Sequence, residues 1–158
     1  MRKEDATGGG DYPEAMDEAL DLAIKKDWGE ENATRLLFLV LDAPPHDSEQ
    51  NALTAFGAIR GAAEKGIRLC PVLCSGADRL TEYVTRVGAL WTGGTSIFIT
   101  DDSGIGGGHL DPDLPQATVE RLNDLLVRLI VGYHTGDFGT PKSVKTAEQA
   151  KTEVDSVE

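Results

Sequence analysis

One stretch of the sequence limits the folds open to this chain more than any other. It reads Arg35-Leu-Leu-Phe-Leu-Val-Leu-Asp42, and two prolines and His46 follow it. A short apolar run without polar alternation is typical of a strand that helices cover on both faces, as in a parallel sheet. In such sheets ligands bind where the strands end, so Asp42 stands at a position that often carries function.

The rest of the sequence alternates helical and extended patterns around this strand. The predicted order is a helix at 13–26, a strand at 35–41, a helix at 48–65, a strand at 67–74, a helix at 75–89, a strand at 95–100 and a last helix from 119. A helix followed by three strand-helix units predicts parallel strands with right-handed crossovers. We therefore expect an α/β fold, a three-layer, doubly wound, Rossmann-like parallel sheet with three strands and four helices.

Local signals predict where the helices begin and which faces they bury. Asp11 is predicted to cap the first helix, because Glu14 follows three residues later and Pro13 suits a first turn. Gly66 is predicted to end the second helix. The apolar spacing predicts these buried faces: Met16, Ala19, Leu20, Ala23 and Ile24 in the first helix, Leu53, Phe56, Ile59 and Ala63 in the second, and Leu80, Tyr83, Val84 and Val87 in the third.

The order of the three strands in the sheet is open at this stage. Pro71 lies inside the second strand, and proline is normally confined to edge strands and bulges. A sheet of order 2-1-3 would place that strand at an edge. Alternatively, the three strands belong to a larger sheet of which a part is missing.

Composition excludes several classes of partner. Asp and Glu number 27 against 15 Lys and Arg, so the net charge of the 158 residues is -12 at pH 7, and that sign repels nucleic acid and anionic lipid. No apolar run approaches the roughly 20 residues of a membrane span, and the first residues lack the apolar core of a secretory signal. We expect no nucleic-acid partner, no membrane insertion and, by default, a cytoplasmic protein.

The two cysteines are predicted to be free thiols. Cys70 and Cys74 lie four residues apart on one predicted strand. At ~3.3 Å per residue their Cα atoms are about 13 Å apart, which is too far for a disulfide.

Oxygen-bearing side chains follow every predicted strand. They lie at 42–47, at 75–78 and at 101–103, and Thr7 and Asp11 precede the first helix. Carboxylate and hydroxyl oxygens are the ligands of Mg²⁺, Ca²⁺ and Mn²⁺. The alternative is that the same residues only cap helices and turns.

Asp42 is the strongest candidate in this set. A carboxylate directly after six apolar residues is predicted to be desolvated unless something binds it, which favours a ligand-facing role. Capping alone would explain Asp11, and an exposed loop would explain His46. The signatures G-x-S-x-G, H-E-x-x-H and paired C-x-x-C, which mark common hydrolases and zinc sites, are absent from the sequence.

Four motifs follow one another at the spacing of one domain. They are Gly8-Gly-Gly-Asp-Tyr-Pro-Glu-Ala15 at the start of a helix, Leu36-Leu-Phe-Leu-Val-Leu-Asp-Ala-Pro-Pro-His46, Lys65-Gly-Ile-Arg68 and Leu90-Trp-Thr-Gly-Gly94. Their order resembles the C-terminal part of a von Willebrand factor type A (vWA) domain of the bacterial kind. The resemblance covers residues 7–133.

The resemblance implies a doubly wound domain of strand order 3-2-1-4-5-6 that binds protein partners through a metal-ion-dependent adhesion site and usually catalyses nothing. It matches Asp42 to the acidic residue after the family's fourth strand. Asp11, or alternatively Thr7, matches the hydroxyl or acidic residue before a middle helix. The family's Asp-x-Ser-x-Ser loop does not occur in this chain. The implied site for Mg²⁺, or for Mn²⁺ or Ca²⁺, is therefore incomplete, and weak binding is expected.

The resemblance also implies the organisation of the chain. Residues 1–6 are a disordered start, 7–135 a vWA-like domain truncated on its N-terminal side, and 136–158 a disordered polar tail. The strand at 35–41 then has an open edge, where the missing N-terminal part of the domain, a partner protein or a second copy could pair. We favour the family's strand order, with Pro71 in a bulge. Relatives are often parts of exported or surface proteins.

The sequence leads to one main hypothesis and two alternatives. The main hypothesis is a non-enzymatic, adhesion-type protein-interaction module of the vWA family, with an incomplete divalent-cation site at Asp42, Asp11 and Thr7. The first alternative is a small Rossmann-like enzyme for a phosphorylated or carboxylated metabolite, with Asp42 and His46 as its acid and base. The second is a structural remnant without a ligand.

Overall fold

The computed structural model describes residues 12–30, 32–74, 76–99 and 119–142. Its elements are α1 (Met16–Ile24), β1 (Arg35–Leu41), α2 (Glu49–Glu64), β2 (Ile67–Leu73), α3 (Arg79–Thr92), β3 (Ile97–Phe98) and α4 (Leu122–Thr135). The predicted alternation of helices and strands is confirmed. In the described ranges no helix has both the length and the apolar character needed to cross a membrane.

The sheet is parallel, and β2 is its central strand. Its order is β1-β2-β3, so the 2-1-3 alternative is wrong and the favoured order is confirmed for these three strands. Among the described residues β1 pairs only with β2. Within the described ranges, β1, the most apolar of the three strands, is therefore an edge strand.

Pro71 lies in the middle of the central strand without a bulge, so the predicted bulge is wrong. The register between β1 and β2 is unbroken along both strands. The Cys74 N–H donates to the Leu41 carbonyl of β1 at 2.7 Å, and alternate residues of a strand face opposite edges. The nitrogen of Pro71 therefore faces the β3 side. Pairing with β3 begins only at Val72, so the proline removes no hydrogen bond from either ladder.

Helices cover both faces of the sheet. On one face, alternate side chains of β1 and β2 join α1, α2 and part of α3 in one core, with Ile59, Ile67 and Leu69 almost fully buried. On the other face, Val72 and Ile97 pack against Leu129 of α4. The described residues thus form three layers, helix, sheet and helix, in an α/β fold.

Of the stripe predicted for α1, Met16, Leu20 and Ile24 are buried and Ala19 is exposed. The buried faces of α2 and α3 differ from the prediction. α2 buries Ala55, Ala58, Ile59 and Ala62, and α3 buries Thr81, Glu82, Thr85, Gly88 and Ala89. Of the apolar residues predicted to form these two faces, Ile59 alone is fully buried. Small residues face the core because the helices lie close to it: a Cβ at Gly88 would lie 2.9 Å from the Leu69 side chain.

The helix ends confirm the predicted end of α2 and correct the predicted start of α1. α2 begins after Ser48, whose hydroxyl accepts the Asn51 N–H at 3.1 Å, and Gly66 follows its end with a positive φ of 64°. α1 begins only at Met16, after Ala15, and not at 13 as predicted. Asp11, the predicted cap of this helix, lies outside the described residues.

Arg35 at the start of β1 holds the amino end of the sheet together. Its guanidinium donates hydrogen bonds to the carbonyl oxygens of Trp28, Gly29 and Glu30, and to that of Lys65 at the end of α2. Two separate connections, one entering β1 and one entering β2, therefore depend on one side chain.

The connection from α3 to β3 lies directly against β2. The Thr92 hydroxyl accepts the Leu69 N–H at 2.9 Å, on the edge of β2 where no strand pairs with that residue. At Gly94 the backbones come so close that a Cβ would overlap the Leu69 carbonyl. This connection therefore replaces a neighbouring strand along the first half of β2.

Residues 136–158 are predicted to form a disordered tail. The structure describes 136–142 of this segment, and these residues pack on α4. The Phe138 ring meets the Tyr133 ring edge to face, with 5.0 Å between the centroids. The Lys142 N–H donates to the Glu120 carboxylate at 3.1 Å. The remainder, 143–158, and the start at 1–6 lie outside the described residues.

Candidate functional site

Asp42 lies directly after β1, at the carboxyl end of the sheet, as the sequence predicts. The residue is exposed to solvent. The expectation of a desolvated carboxylate is wrong, because β1 is an edge strand and water reaches its end. An exposed carboxylate at the end of a parallel strand is free of the cost of burial and can face a ligand.

The loops at this end of the sheet are tied to one another. The Tyr12 hydroxyl donates to the Gly76 carbonyl at 2.7 Å. Gly76 has a φ of 99°, and a Cβ there would overlap the Asp42 carbonyl. The Glu14 N–H donates to the Pro44 carbonyl at 2.8 Å. The segment before α1, the loop after β1 and the loop after β2 therefore meet beside Asp42.

Of the three residues predicted to bind a cation, the structure describes one. Asp11 and Thr7 lie outside the described residues, and so does the third polar segment, 101–103. Within the described ranges, no group of three or more His, Cys, Asp or Glu side chains comes together as a metal site. Asp42 alone does not fit the ligand set of a bound Mg²⁺, which needs several oxygen atoms.

Two other oxygen-bearing residues at the strand ends act as helix caps. The Asp78 carboxylate accepts hydrogen bonds from the Thr81 hydroxyl at 2.6 Å and the Thr81 N–H at 2.8 Å. The hydrogen bond from the Thr81 hydroxyl is the main reason that the pKa of Asp78 lies below its usual range, and the Thr81 N–H acts in the same direction. Ser48 caps α2 in the same way. For Asp78 the capping alternative is confirmed.

The residues proposed for an enzyme do not line the large cleft of the structure. An open cleft of about 700 Å³ runs along α3, lined by Arg79, Glu82, Tyr83, Arg86, Val87, Ala89, Leu90, Gly94 and Ser96. Asp42 and His46 are not among its lining residues. Two cations that could bind the anion of such a metabolite are engaged elsewhere, since Arg79 pairs with Glu82 at 2.8 Å and Arg68 lies over the Tyr133 ring.

Both cysteines are free thiols, as predicted. Burial raises the pKa of the Cys70 thiol. Burial and, to a lesser extent, the nearby charge of Asp42 raise the pKa of the Cys74 thiol. A raised pKa keeps the thiol protonated near pH 7, so neither cysteine is set up as a nucleophile.

Asp17 is a buried carboxylate that the sequence pattern did not single out. Its side chain is almost fully buried, its Oδ2 accepts the Asn51 amide N–H at 3.0 Å, and its Oδ1 has no hydrogen-bond partner among the described residues. Asn51 also accepts a hydrogen bond from the Ser48 hydroxyl. This chain of contacts joins the start of α1 to the start of α2. A single aspartate among the apolar residues of a helix is not a pattern from which this contact between α1 and α2 could be predicted.

The open edge of β1 is the second candidate site. The Leu41 carbonyl accepts a hydrogen bond from β2, so the alternate residues Leu36, Phe38 and Val40 point their N–H and C=O groups away from β2. The side chains of Leu36 and Phe38 are only partly buried and Val40 is 65% exposed, whereas β2 is buried at all but one residue. The edge offers both hydrogen bonds and apolar surface.

Comparison of the chain with protein-family models, with curated proteins and with solved structures finds no match.

Proposed function

We propose that the chain is a non-enzymatic protein-interaction module of the vWA type, and that its partner adds a strand along β1. The observation that carries the proposal is that the outer edge of β1, the most apolar of the three strands, has no neighbour in the part of the chain that the structure describes. A partner strand would satisfy the N–H and C=O groups of Leu36, Phe38 and Val40 and would bury their side chains. Strand addition of this kind takes affinity from main-chain hydrogen bonds and specificity from alternate side chains.

The contrast between the strands supports this role. Central strands of a parallel sheet are buried on both faces, and β2 fits that description. β1 has the composition of a central strand but the burial of an edge strand. Pairing on its open side would remove this mismatch. The partner strand comes from a second protein or from an N-terminal part of such a domain.

Val40→Pro tests the proposal because proline lacks the N–H that would pair with the partner. We expect a partner captured by the immobilised wild-type chain to bind Val40→Pro about tenfold or more weakly, since a lost hydrogen bond and a ring in the contact both weaken pairing. Val40→Thr keeps the N–H and a β-branched side chain, so it is the matched control. Isothermal calorimetry with the purified partner gives the two affinities.

The same complex has a second readout. Amide hydrogen exchange at Leu36, Phe38 and Val40 is expected to slow when the purified partner is added, because those three N–H groups become paired. A partner that binds Val40→Pro as tightly as wild type, and leaves these amides fast, would contradict strand addition at β1.

We further propose that Asp42 supplies one ligand of a divalent-cation site, with Asp11 and Thr7 as the other candidates. The exposed position of Asp42 beside the meeting loops supports this role. The family's Asp-x-Ser-x-Ser loop is absent from the sequence, so the ligand set is incomplete. When bound, the cation would attract an acidic group of the partner.

Calorimetric titration with Mg²⁺ and Mn²⁺ tests this assignment. We expect the wild-type chain to bind with a dissociation constant on the order of millimolar, the weak end of the range for oxygen sites. Asp42→Ala is expected to remove that binding, and Asp47→Ala, at another exposed carboxylate of the same loop, to leave it unchanged. Micromolar binding by the wild-type chain would contradict the incomplete site.

A further inference from the structure

The apolar face of α3 points away from the core. The helix buries threonine, glutamate, glycine and alanine, whereas Leu80, Tyr83, Leu90 and Trp91 are each more than half exposed. A surface helix normally turns its apolar stripe to the core and its polar side to water. α3 reverses this arrangement, and within the described part of the chain its outer apolar stripe is exposed.

The spacing of the stripe is that of a helix-packing seam. Leu80, Tyr83, Val87 and Leu90 stand at positions i, i+3, i+7 and i+10, which is the a/d spacing of two heptads. Trp91 widens the stripe on one side, where its ring meets Phe56 of α2 edge to face with 6.4 Å between the centroids. This spacing suits contact with another helix.

We propose that two copies of this chain form a homodimer by packing α3 against α3 in antiparallel orientation about a two-fold axis. In that arrangement Leu80 of each copy meets Leu90 of the other, and Tyr83 meets Val87. Leucine meets leucine, and the largest side chain of the seam meets the smallest. A two-fold interface requires such self-complementarity, because one patch serves both partners.

The charges around the stripe permit two copies to meet there. The chain carries a net charge of -12, so most of its surface repels a second copy. The one carboxylate within α3, Glu82, pairs with both Arg79 and Arg86, at 2.8 Å and 3.1 Å. The helix therefore adds no unpaired negative charge to the seam.

The size of the surface predicts a dimer of moderate affinity. Aromatic side chains such as Tyr83 and Trp91 bury on the order of 150 Å² each. Together with Leu80, Leu90 and the partly exposed Phe56, the surface is comparable with the ~800 Å² that a standard interface buries on each partner. We expect a dissociation constant on the order of 1–100 µM, since area alone does not ensure tight binding. Screening of the net charge should tighten the dimer as salt is raised.

Sedimentation analysis of wild type and of Leu80→Glu/Leu90→Glu tests the dimer. The double variant is expected to weaken association by more than about 100-fold, because it places carboxylates against one another in an apolar seam. Val127→Glu is the matched control, since Val127 is an equally exposed apolar residue on α4. Circular dichroism checks that all variants fold. A wild-type chain that stays monomeric at about ten times the upper end of the expected range would overturn the proposal.

A charge swap tests the antiparallel orientation. In Leu80→Lys/Leu90→Glu each lysine would meet a glutamate of the other copy, so this variant should recover much of the association that Leu80→Glu/Leu90→Glu loses. Equal loss in the two variants would overturn the antiparallel seam. The dimer is independent of the strand addition proposed for β1, so Val40→Pro should leave it intact. A dimer that Val40→Pro abolishes and the α3 variants do not would place the contact at β1 instead.

Discussion

Gly94→Ala is expected to destabilise the protein by roughly 3–5 kcal/mol, a large share of the ~5–15 kcal/mol that keeps a typical domain folded. The added methyl group would overlap the carbonyl of Leu69, a backbone atom of the central strand. That strand is held on its other edge by β1, so it has little room to move. The connection at Gly94 must move instead, and Thr92 would then lose its contact with the Leu69 N–H.

Urea unfolding measures this loss, and Gly57→Ala is its matched control. Gly57 lies inside α2 with nothing within 4 Å of the position of a Cβ. Alanine there should stabilise the protein by about 0.5–1 kcal/mol, because glycine weakens a helix interior. The same substitution therefore has opposite effects at the two sites. A Gly94→Ala protein as stable as Gly57→Ala would show that the connection does not lie against β2.

Leu39→Pro is expected to cost about 3 kcal/mol or more, whereas Val40→Pro, one residue later, should cost less than about 1 kcal/mol. Leu39 lies on the same side of β1 as Leu41, whose carbonyl bonds to β2, so its N–H belongs to the ladder. The N–H of Val40 faces the open edge, where proline is tolerated. Thermal and urea unfolding of the two variants measure the difference.

This pair of variants also tests the topology. If β1 had a second neighbour, both prolines would remove a ladder hydrogen bond and both would destabilise the protein strongly. Equal losses for the two variants would therefore contradict an open edge at β1. The result for Val40→Pro also shows whether its weaker partner binding can be separated from unfolding.

The strands and helices could be predicted because their signals are local. β1 is one apolar run that ends at Asp42, and Ser48 and Gly66 mark the two ends of α2. The place of Pro71 could not be predicted in the same way. Proline is expected in an edge strand or a bulge because it cannot donate a backbone hydrogen bond. At Pro71 no hydrogen bond is lost, because its nitrogen faces the β3 side and pairing with β3 begins only at Val72. A local pattern does not show where β3 begins.

The orientation of α2 and α3 could not be predicted from their patterns. An amphipathic pattern shows that a helix has two faces, but not which one faces the core. At α3 the close approach at Gly88 excludes large side chains from the core side, so threonine, glycine and alanine are buried there. The usual assumption that apolar residues face inward then fails.

The position of Asp42 was predictable, but its environment was not. The sequence places Asp42 at the end of β1, and the structure agrees. Its exposure depends on the edge position of β1, which a single strand's pattern does not contain. Asp17 shows the reverse case, because it is buried and its hydrogen-bond partner, Asn51, lies on a different helix.

Arg35 couples the local unfolding of two connections at the amino end of the sheet, the one that enters β1 and the one that enters β2. Its guanidinium holds three carbonyls before β1 and one before β2, so neither connection can peel away without releasing the other. Thermal fluctuations at that end should appear as rare, concerted openings of both connections rather than as gradual fraying of one. Lysine, with a single nitrogen, could not enforce this coupling.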